Sequence, residues 1–519
     1  MILIHPPVSK PCEPPAGIAR LCGALDHHGI RYTVLDANLE GFISLLNAPL
    51  VSQDTWTHRA SRHLSRHLAS LRTWDAYQDG GRYRRAIKDL SRILEMKARD
   101  CRVRLGLGNY EHQELSPVRS SDLMRAAEHP EENPFYPYFR KRLSDLIEHE
   151  QASFAGLSLG YLSQALSTFA IIGFLRREFP GLKLILGGGL VTSWMRRPRW
   201  KNPFEGFVDH LVAGPGEAPL ISIIGEEKFE QRKDHHYAPN YDPLPTGDYF
   251  APGPILPYSA STGCYWNRCS FCPERTEGNP YAAIPVEEVR RDLQRLVKRH
   301  KPVLIHFLDN AISPPLMRAL SEYPPEVPWY GFARMTRPLS DLDFCLALKR
   351  SGCVMLQLGL ESGDQTVLDS LQKGIDLEEA SSVLRNLKKA GIATYVYLLF
   401  GTPPEGQIEA RKTLDFVVKH HDCILFMNPA IFNMPIDGPD ARKMEVHTFY
   451  EGDLSLYTSF DHPKGWSRKL IRQFLDREFK RHPAVAAILR RDPPVFTSNH
   501  VPFFVEKGDG SIFSNPRNK

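Results

Sequence analysis

The chain opens on an apolar run, "MILIHPP", closed by two prolines that cannot extend a strand ladder. In the next stretch, "AGIARLCGALDHHG", Ile18, Leu21, Cys22 and Leu25 recur at helical spacing until Gly29. "RYTVLDAN" then returns to a strand pattern, and β–α–β order predicts a parallel sheet. From about residue 46 to 150 the alternation is interrupted by Arg- and His-rich stretches such as "THRASRHLSRHLASLR" and "RYRRAIKDLSRILEMKARD", which predict helices. It resumes with "FAGLSL", "SQALSTFAIIGFLRREFPG", "LKLILGGG" and "GFVDHLVAGPGEAPLISII". The expectation is an α/β, doubly wound, Rossmann-like domain over residues 1–230 with a helical insertion.

"KDHHYAPNYDPLPTGDYFAPGP" is rich in Pro, Gly and Asp and predicts a linker over 231–257. Beyond it lie six strand patterns: "PYSASTG", "VLIHFLDN", "WYGFAR", "VMLQLGLES", "TYVYLLFG" and "CILFMNPAIF". Helical patterns lie between most of them. Two of these, "PVEEVRRDLQRLVKRH" and "DLEEASSVLRNLKKAG", carry carboxylates in the first turn, where the helix dipole favours them. A partial (β/α)6 barrel over 258–440 is expected, with its chemistry at the strand C-termini. Residues 441–519 form a small, basic C-terminal region.

The length, 519 residues, suggests two to four domains. A hydrophobic share of 42% and a charged share of 24% fit a soluble globular protein. The net charge, 65 − 60 = +5, makes little case for nucleic acid when spread over the whole chain. Acids interleave the basic helices in "KDL" and "EMKARD", as on a solvated face, and no aromatic–basic recognition motif is present. No apolar run reaches the ~20 residues of a membrane span. No charged region precedes the first apolar run, so a secretory leader is not expected and the thiols are read as reduced and cytoplasmic.

Three of the nine cysteines, Cys264, Cys269 and Cys272, fall within "GCYWNRCSFC", directly after the first predicted barrel strand. The other six, Cys12, Cys22, Cys101, Cys345, Cys353 and Cys423, are scattered singly and read as inert core thiols. Structural zinc usually takes four ligands in two pairs, and no second pair is present. A disulfide would leave one thiol over. A 4Fe–4S cubane takes thiolate ligands, and three would leave one iron open.

The cysteine loop resembles that of the radical S-adenosylmethionine (SAM) enzymes, with one residue more than their usual C-x3-C-x2-C. Phe271 occupies the family's aromatic position near the SAM adenine. "LQLGLESGDQTVLDSLQKG" is similar to the family's fourth-strand segment and "AGIATYVYLLFGTPPEG" to its fifth. The resemblance implies that Glu361 and Ser362 meet the SAM and that Arg334 pairs with its carboxylate. Asp309 and Asn310 stand where many members carry a Gly-Gly-Glu run, which is absent here.

Residues 1–230 resemble the cobalamin-binding domain that precedes the barrel in one large class of these enzymes. Its marks are "HPP", "GIARLCGALDHHGI", "YTVLDAN", "GLSLGYLSQ", "LILGGG" and "VDHLVAGPGEAPL". The resemblance implies cobalamin at Ser158, Tyr161, Gly187, Gly188 and Gly189, at the strand ends. In "DANLEG", Asn38 stands where many cobalamin proteins place a cobalt-binding His, which implies cobalt with no histidine below it. Taken together, the resemblance implies a cobalamin-dependent methyltransferase for an unactivated carbon of a peptide or small natural product, fed by an external electron donor. Two alternatives are a non-methylating radical rearrangement or oxidation, and a nucleic-acid-modifying enzyme.

Overall fold

The computed structural model describes residues 1–50, 54–225, 236–494 and 498–505. Its first sheet contains β1 (Ile2–Ile4), β2 (Thr33–Leu35), β3 (Phe154–Ser158), β4 (Lys183–Gly187) and β5 (His210–Leu211). All pairs are parallel and the order is β2-β1-β3-β4-β5. In such a doubly wound sheet the strand order reverses between β1 and β3, and a crevice opens there at the strand C-termini. Helices Ala16–His27 and Glu217–Ile224 close one face around Leu3, Ile18, Leu25, Ile185 and Leu220. Helix Leu162–Glu178 is buried all round from Gln164 to Leu175, where Gln164, Ser167 and Thr168 are the buried polar residues among apolar ones.

The insertion between β2 and β3 carries the expected helices, among them Thr55–Arg62, Gly80–Ala98 and Tyr136–Glu150. It also contains a hairpin, Val103–Gly106 against Asn109–His112, where helix was expected. Val103, Leu105 and Tyr110 are its buried residues, a period of two that lies hidden inside a helical context. Much of the insertion's basic charge is paired internally: Arg92 pairs with Asp54 at 3.0 Å and His67 with Asp89 at 3.0 Å.

The expected linker begins at a boundary outside the described residues, and from residue 236 onward the chain forms a packed strap. Tyr241, Leu244, Tyr249, Phe250 and Ala251 are buried. Asn240 N–H donates to Ala19 C=O and Phe250 N–H to Pro11 C=O, tying the strap to the first domain. Proline and glycine mark irregular backbone here, but the aromatics between them supply core. Each such side chain contributes about 1.5–3 kcal/mol through burial.

The second sheet contains β6 (Ile255–Tyr258), β7 (Leu304–Phe307), β8 (Trp329–Ala333), β9 (Cys353–Glu361), β10 (Ala393–Phe400) and β11 (Phe426–Ile431). They pair in consecutive order, all parallel, as a partial (β/α)6 barrel. In β10 every second residue is fully buried and the rest half-buried. Val396, Leu398 and Phe400 face the helices, while Tyr395, Tyr397 and Leu399 face an interior that is not packed shut. The barrel floor is closed from outside: Ile255, Leu304, Tyr330, Met355 and Phe426 share one core with the first domain and with Phe503 and Phe504. Beyond the barrel lie a small antiparallel sheet (Met434–Pro435, Val446–Thr448, Tyr457–Phe460) and helices Arg468–Phe474 and Pro483–Leu489. Among the described residues no helix is long and apolar enough to cross a membrane.

Candidate functional site

A cavity of about 670 Å³ opens at the C-terminal ends of the first sheet, at the β1/β3 crevice. Ser158, Gly187, Gly188 and Gly189, singled out in the sequence, line it together with Gly17, Thr192, Arg196 and the Gly214–Glu217 turn. The opposite wall belongs to the barrel: Thr262, Gly263, Glu277, Asn279, Leu308 and Asn310. Gly188 has φ 112°, and a Cβ there would lie 2.4 Å from Leu159 C=O, so backbone geometry alone demands glycine. Gly17 and Gly189 differ: a Cβ on either would meet protein no closer than 3.8 Å. Side chains there would fill the cavity instead of the protein, which is the signature of a ligand cradle. Among the described residues no histidine lines it.

Asn38 does not line the cavity, contrary to the sequence reading. It is buried at the start of helix Ala37–Asn47 and its Oδ1 accepts from Ser9 N–H at 2.8 Å. The reason is topological: β2 is the sheet edge, so the loop after it lies one strand away from the crevice. Tyr161 is not among the cavity's lining residues, yet 62% of its surface is open. Surrounding protein and nearby Glu13 push its phenol up.

The three-cysteine loop follows β6. Gly263, at φ 67°, makes the turn into it, and a Cβ there would strike Pro280 C=O at 2.5 Å. The loop is stapled to the 371–374 turn. Ser270 N–H donates to Leu371 C=O at 3.0 Å and Trp266 Nε1 to Gln372 C=O at 2.9 Å. Burial raises the Cys269 thiol, with Lys373 and Arg334 acting against it; burial also raises Cys272, opposed by the backbone N–H groups of Arg275 and Glu274. All three cysteines are free thiols. Three soft donors on one loop, with cations beside them, suit an iron–sulfur cluster, whose binding would displace the thiol protons.

Glu361 ends β9 at φ 68° and receives Lys373 Nζ at 2.8 Å. Phe271 lies beneath, with Lys373 5.7 Å from its ring centre. This acid, cation and aromatic ring therefore meet at the cysteine loop. Ser362 does not join them. It lies just past the end of β9, after the positive φ of Glu361 breaks the strand, and is fully buried, 3.3 Å from the Thr413 hydroxyl, and accepts from Asp364 N–H. Arg334 is also otherwise engaged: it donates to the carbonyls of Lys373 and Gly374 and stacks on Trp266 at 4.2 Å. It pins the loop instead of waiting for a carboxylate. Asp309 is buried and accepts from Ala260 N–H at 3.0 Å and from Ser261 Oγ, while burial raises its carboxyl. Asn310 is exposed in the cavity wall and donates to Gly263 C=O at 3.2 Å.

Residues 258–417 match the profile of the family described as the radical SAM superfamily. An uncharacterized methyltransferase of Pyrococcus horikoshii is 27% identical over 260 residues, 47% of this chain and 55% of the relative. The bacteriochlorophyllide d C-12(1)-methyltransferase of Chlorobaculum tepidum is 30% identical over 176 residues, 32% of this chain and 38% of the relative. The chain thus spans about half the length, or less, of these curated relatives. Among solved structures, the radical SAM methyltransferase TsrM of Kitasatospora setae, with cobalamin and a [4Fe-4S] cluster bound, aligns with a TM-score of 0.51. The identity is 14%, over 85% of this chain and 77% of that one, so the likeness is one of fold.

Proposed function

We propose, from the premise that residues 258–417 are a radical SAM domain, that this chain is a cobalamin-dependent methyltransferase acting on an unactivated carbon of a small natural product or peptide. One observation carries the reading. A single cavity is walled on one side by the glycine cradle of the doubly wound sheet and on the other by the entry to the cysteine loop. A cofactor held in the first domain would therefore face the barrel mouth. The methyltransferase names of both curated relatives support the same reading.

Cys264, Cys269 and Cys272 would hold the 4Fe–4S cluster. Phe271 and Glu361 would meet the SAM. Ser158, Gly17 and Gly187–Gly189 would hold cobalamin. When bound, the cluster supplies an electron to cleave SAM, and cobalamin carries the methyl group. The chain's own residues bind, orient and seal. Arg334 and Trp266 fix the loop against the 371–374 turn. Lys373 holds the Glu361 carboxylate in place at 2.8 Å. The strap and Phe503–Phe504 keep water from the barrel floor. An external electron donor is required.

The test is product analysis. The anaerobically reconstituted, reduced protein should form S-adenosylhomocysteine from SAM only when cobalamin is supplied. Formation of 5′-deoxyadenosine alone, by protein that has taken up cobalamin, would replace methyl transfer with the rearrangement or oxidation reading.

A further inference from the structure

The inner face of the barrel has a polar and aromatic layer that the cofactor sites do not use. Gln357, midway along β9, is 1% exposed. Its Nε2 donates to Tyr397 Oη at 2.9 Å, while its Oε1 has no partner among the described residues. A buried amide oxygen left unpaired costs about 1–3 kcal/mol, so such an atom is expected to meet a donor in the working protein. Register places Phe332, Gln357, Tyr395 and Phe426 in one row, with Tyr397 and Asn428 paired in the next row toward the strand C-termini. Tyr395 and Tyr397 stack at 4.8 Å, and Phe332 lies 5.2 Å from Tyr397. Asn428 is exposed although it sits within a barrel strand, so the row next to that of Gln357 borders open space.

A second polar pair lies on the same inner face of the barrel. His306 of β7 is stacked on Tyr330 at 4.3 Å with 10° between the planes. Both carboxylate oxygens of Glu13, from the loop after β1, lie 3.0 Å from its Nδ1. A carboxylate on Nδ1 fixes the proton there and leaves Nε2 as an acceptor. Strand alternation places His306 one layer beneath Leu308, which lines the interdomain cavity. Two acceptors, Gln357 Oε1 and His306 Nε2, thus belong to the inner face of the barrel, beside the rings of Tyr330, Phe332, Tyr395 and Tyr397.

We propose that this stretch of the inner barrel face is the substrate subsite, and that it selects a planar aromatic or heteroaromatic molecule bearing an N–H or O–H donor, which Gln357 and His306 accept. The flat walls favour a stacked ring, and an acceptor buried without a partner rejects an analogue that cannot donate. This deepens the methyltransferase reading by naming its substrate class, and it rests on that reading only for the chemistry after binding.

The test uses the full chain, loaded anaerobically with iron, sulfide and cobalamin, and ligand-observed NMR with two matched probes. Indole carries a ring N–H; benzofuran has the same shape with an oxygen in its place. Indole should bind at least about tenfold tighter than benzofuran. In Gln357→Met the ratio should fall toward one, with iron and cobalt content unchanged. His306→Phe, which keeps the stack on Tyr330, should weaken indole and spare benzofuran, and stands in if the first variant fails to fold. Equal binding of the two probes, binding of neither, or a preference for benzofuran overturns the proposal while leaving the cofactor assignments standing. An indole preference in a protein that takes up no cobalt keeps the subsite and defeats the cobalamin reading alone.

Discussion

The two parallel sheets of this chain treat their faces differently. In the first sheet, β1 is buried at every residue and β3 at its three central ones, because helices cover both faces. Nothing can enter between its layers, so a ligand must sit at the strand ends, where glycines leave the backbone bare. In the barrel, β10 alternates between buried and half-buried residues because helices cover only the outer face. Its inner face is left for ligands above the closed floor, against which Ala393 and Tyr395 pack. One architecture offers a terminal cradle and the other an inner face, and the cysteine loop lies where the two openings meet. The difference teaches that burial alternation, more than residue type, tells where a parallel sheet can hold a ligand.

Gly189→Leu should break the cradle most severely. A Cβ there meets protein no closer than 3.8 Å, and the side chain beyond it would extend into the cavity. Cobalamin uptake should fall by about a hundredfold or more, which is about 2.7 kcal/mol, while iron content and thermal stability hold; equilibrium dialysis against cobalamin checks this.

On the barrel side, Glu405 after β10 is fully buried, and burial pushes its carboxyl up to about 8 despite the N–H it receives from Gly401. The folded state therefore keeps a proton that the unfolded chain loses near pH ~4.3. Its contribution to stability is complete below that value and is lost as pH rises through about 8. Denaturant titrations should show this decline, on the order of 5 kcal/mol in full, and Glu405→Gln should flatten it.

Glu361→Ala should weaken SAM binding by about 1.5–3 kcal/mol with the cluster retained, as measured by calorimetry. Ser362→Ala should leave SAM affinity unchanged, because its hydroxyl is engaged with Thr413 of helix Gln407–Lys419. The smallest effect on a cofactor is expected for Asn38→Ala. It frees Ser9 N–H and costs about 1–3 kcal/mol of stability, yet cobalamin affinity in the folded protein should not change.

What was legible in the sequence was mostly local. All six barrel strands were foreseen within a few residues, since each is an apolar run bounded by turn signals. The cysteine loop and the glycine run announced themselves by proximity along the chain. Side-chain roles set by direction were harder. Ser362 and Glu361 are neighbours in sequence but meet different partners, Thr413 and Lys373, and Arg334 was drawn to carbonyls that only the fold brings near. The Glu13–His306 pair joins positions 293 residues apart and leaves no local trace. The strap at 236–254 was read as a linker from its prolines, although its buried Tyr241, Tyr249 and Phe250 were the better signal.

The most direct test of the two-cofactor reading is a metal analysis of the unaltered protein and the Cys264→Ala/Cys269→Ala/Cys272→Ala variant, both reconstituted anaerobically with iron, sulfide and cobalamin. About four irons and one cobalt per chain are expected in the first, and no iron with the cobalt retained in the second. Iron that persists without the three cysteines, or an iron-loaded, folded protein that takes up no cobalt, would contradict that reading.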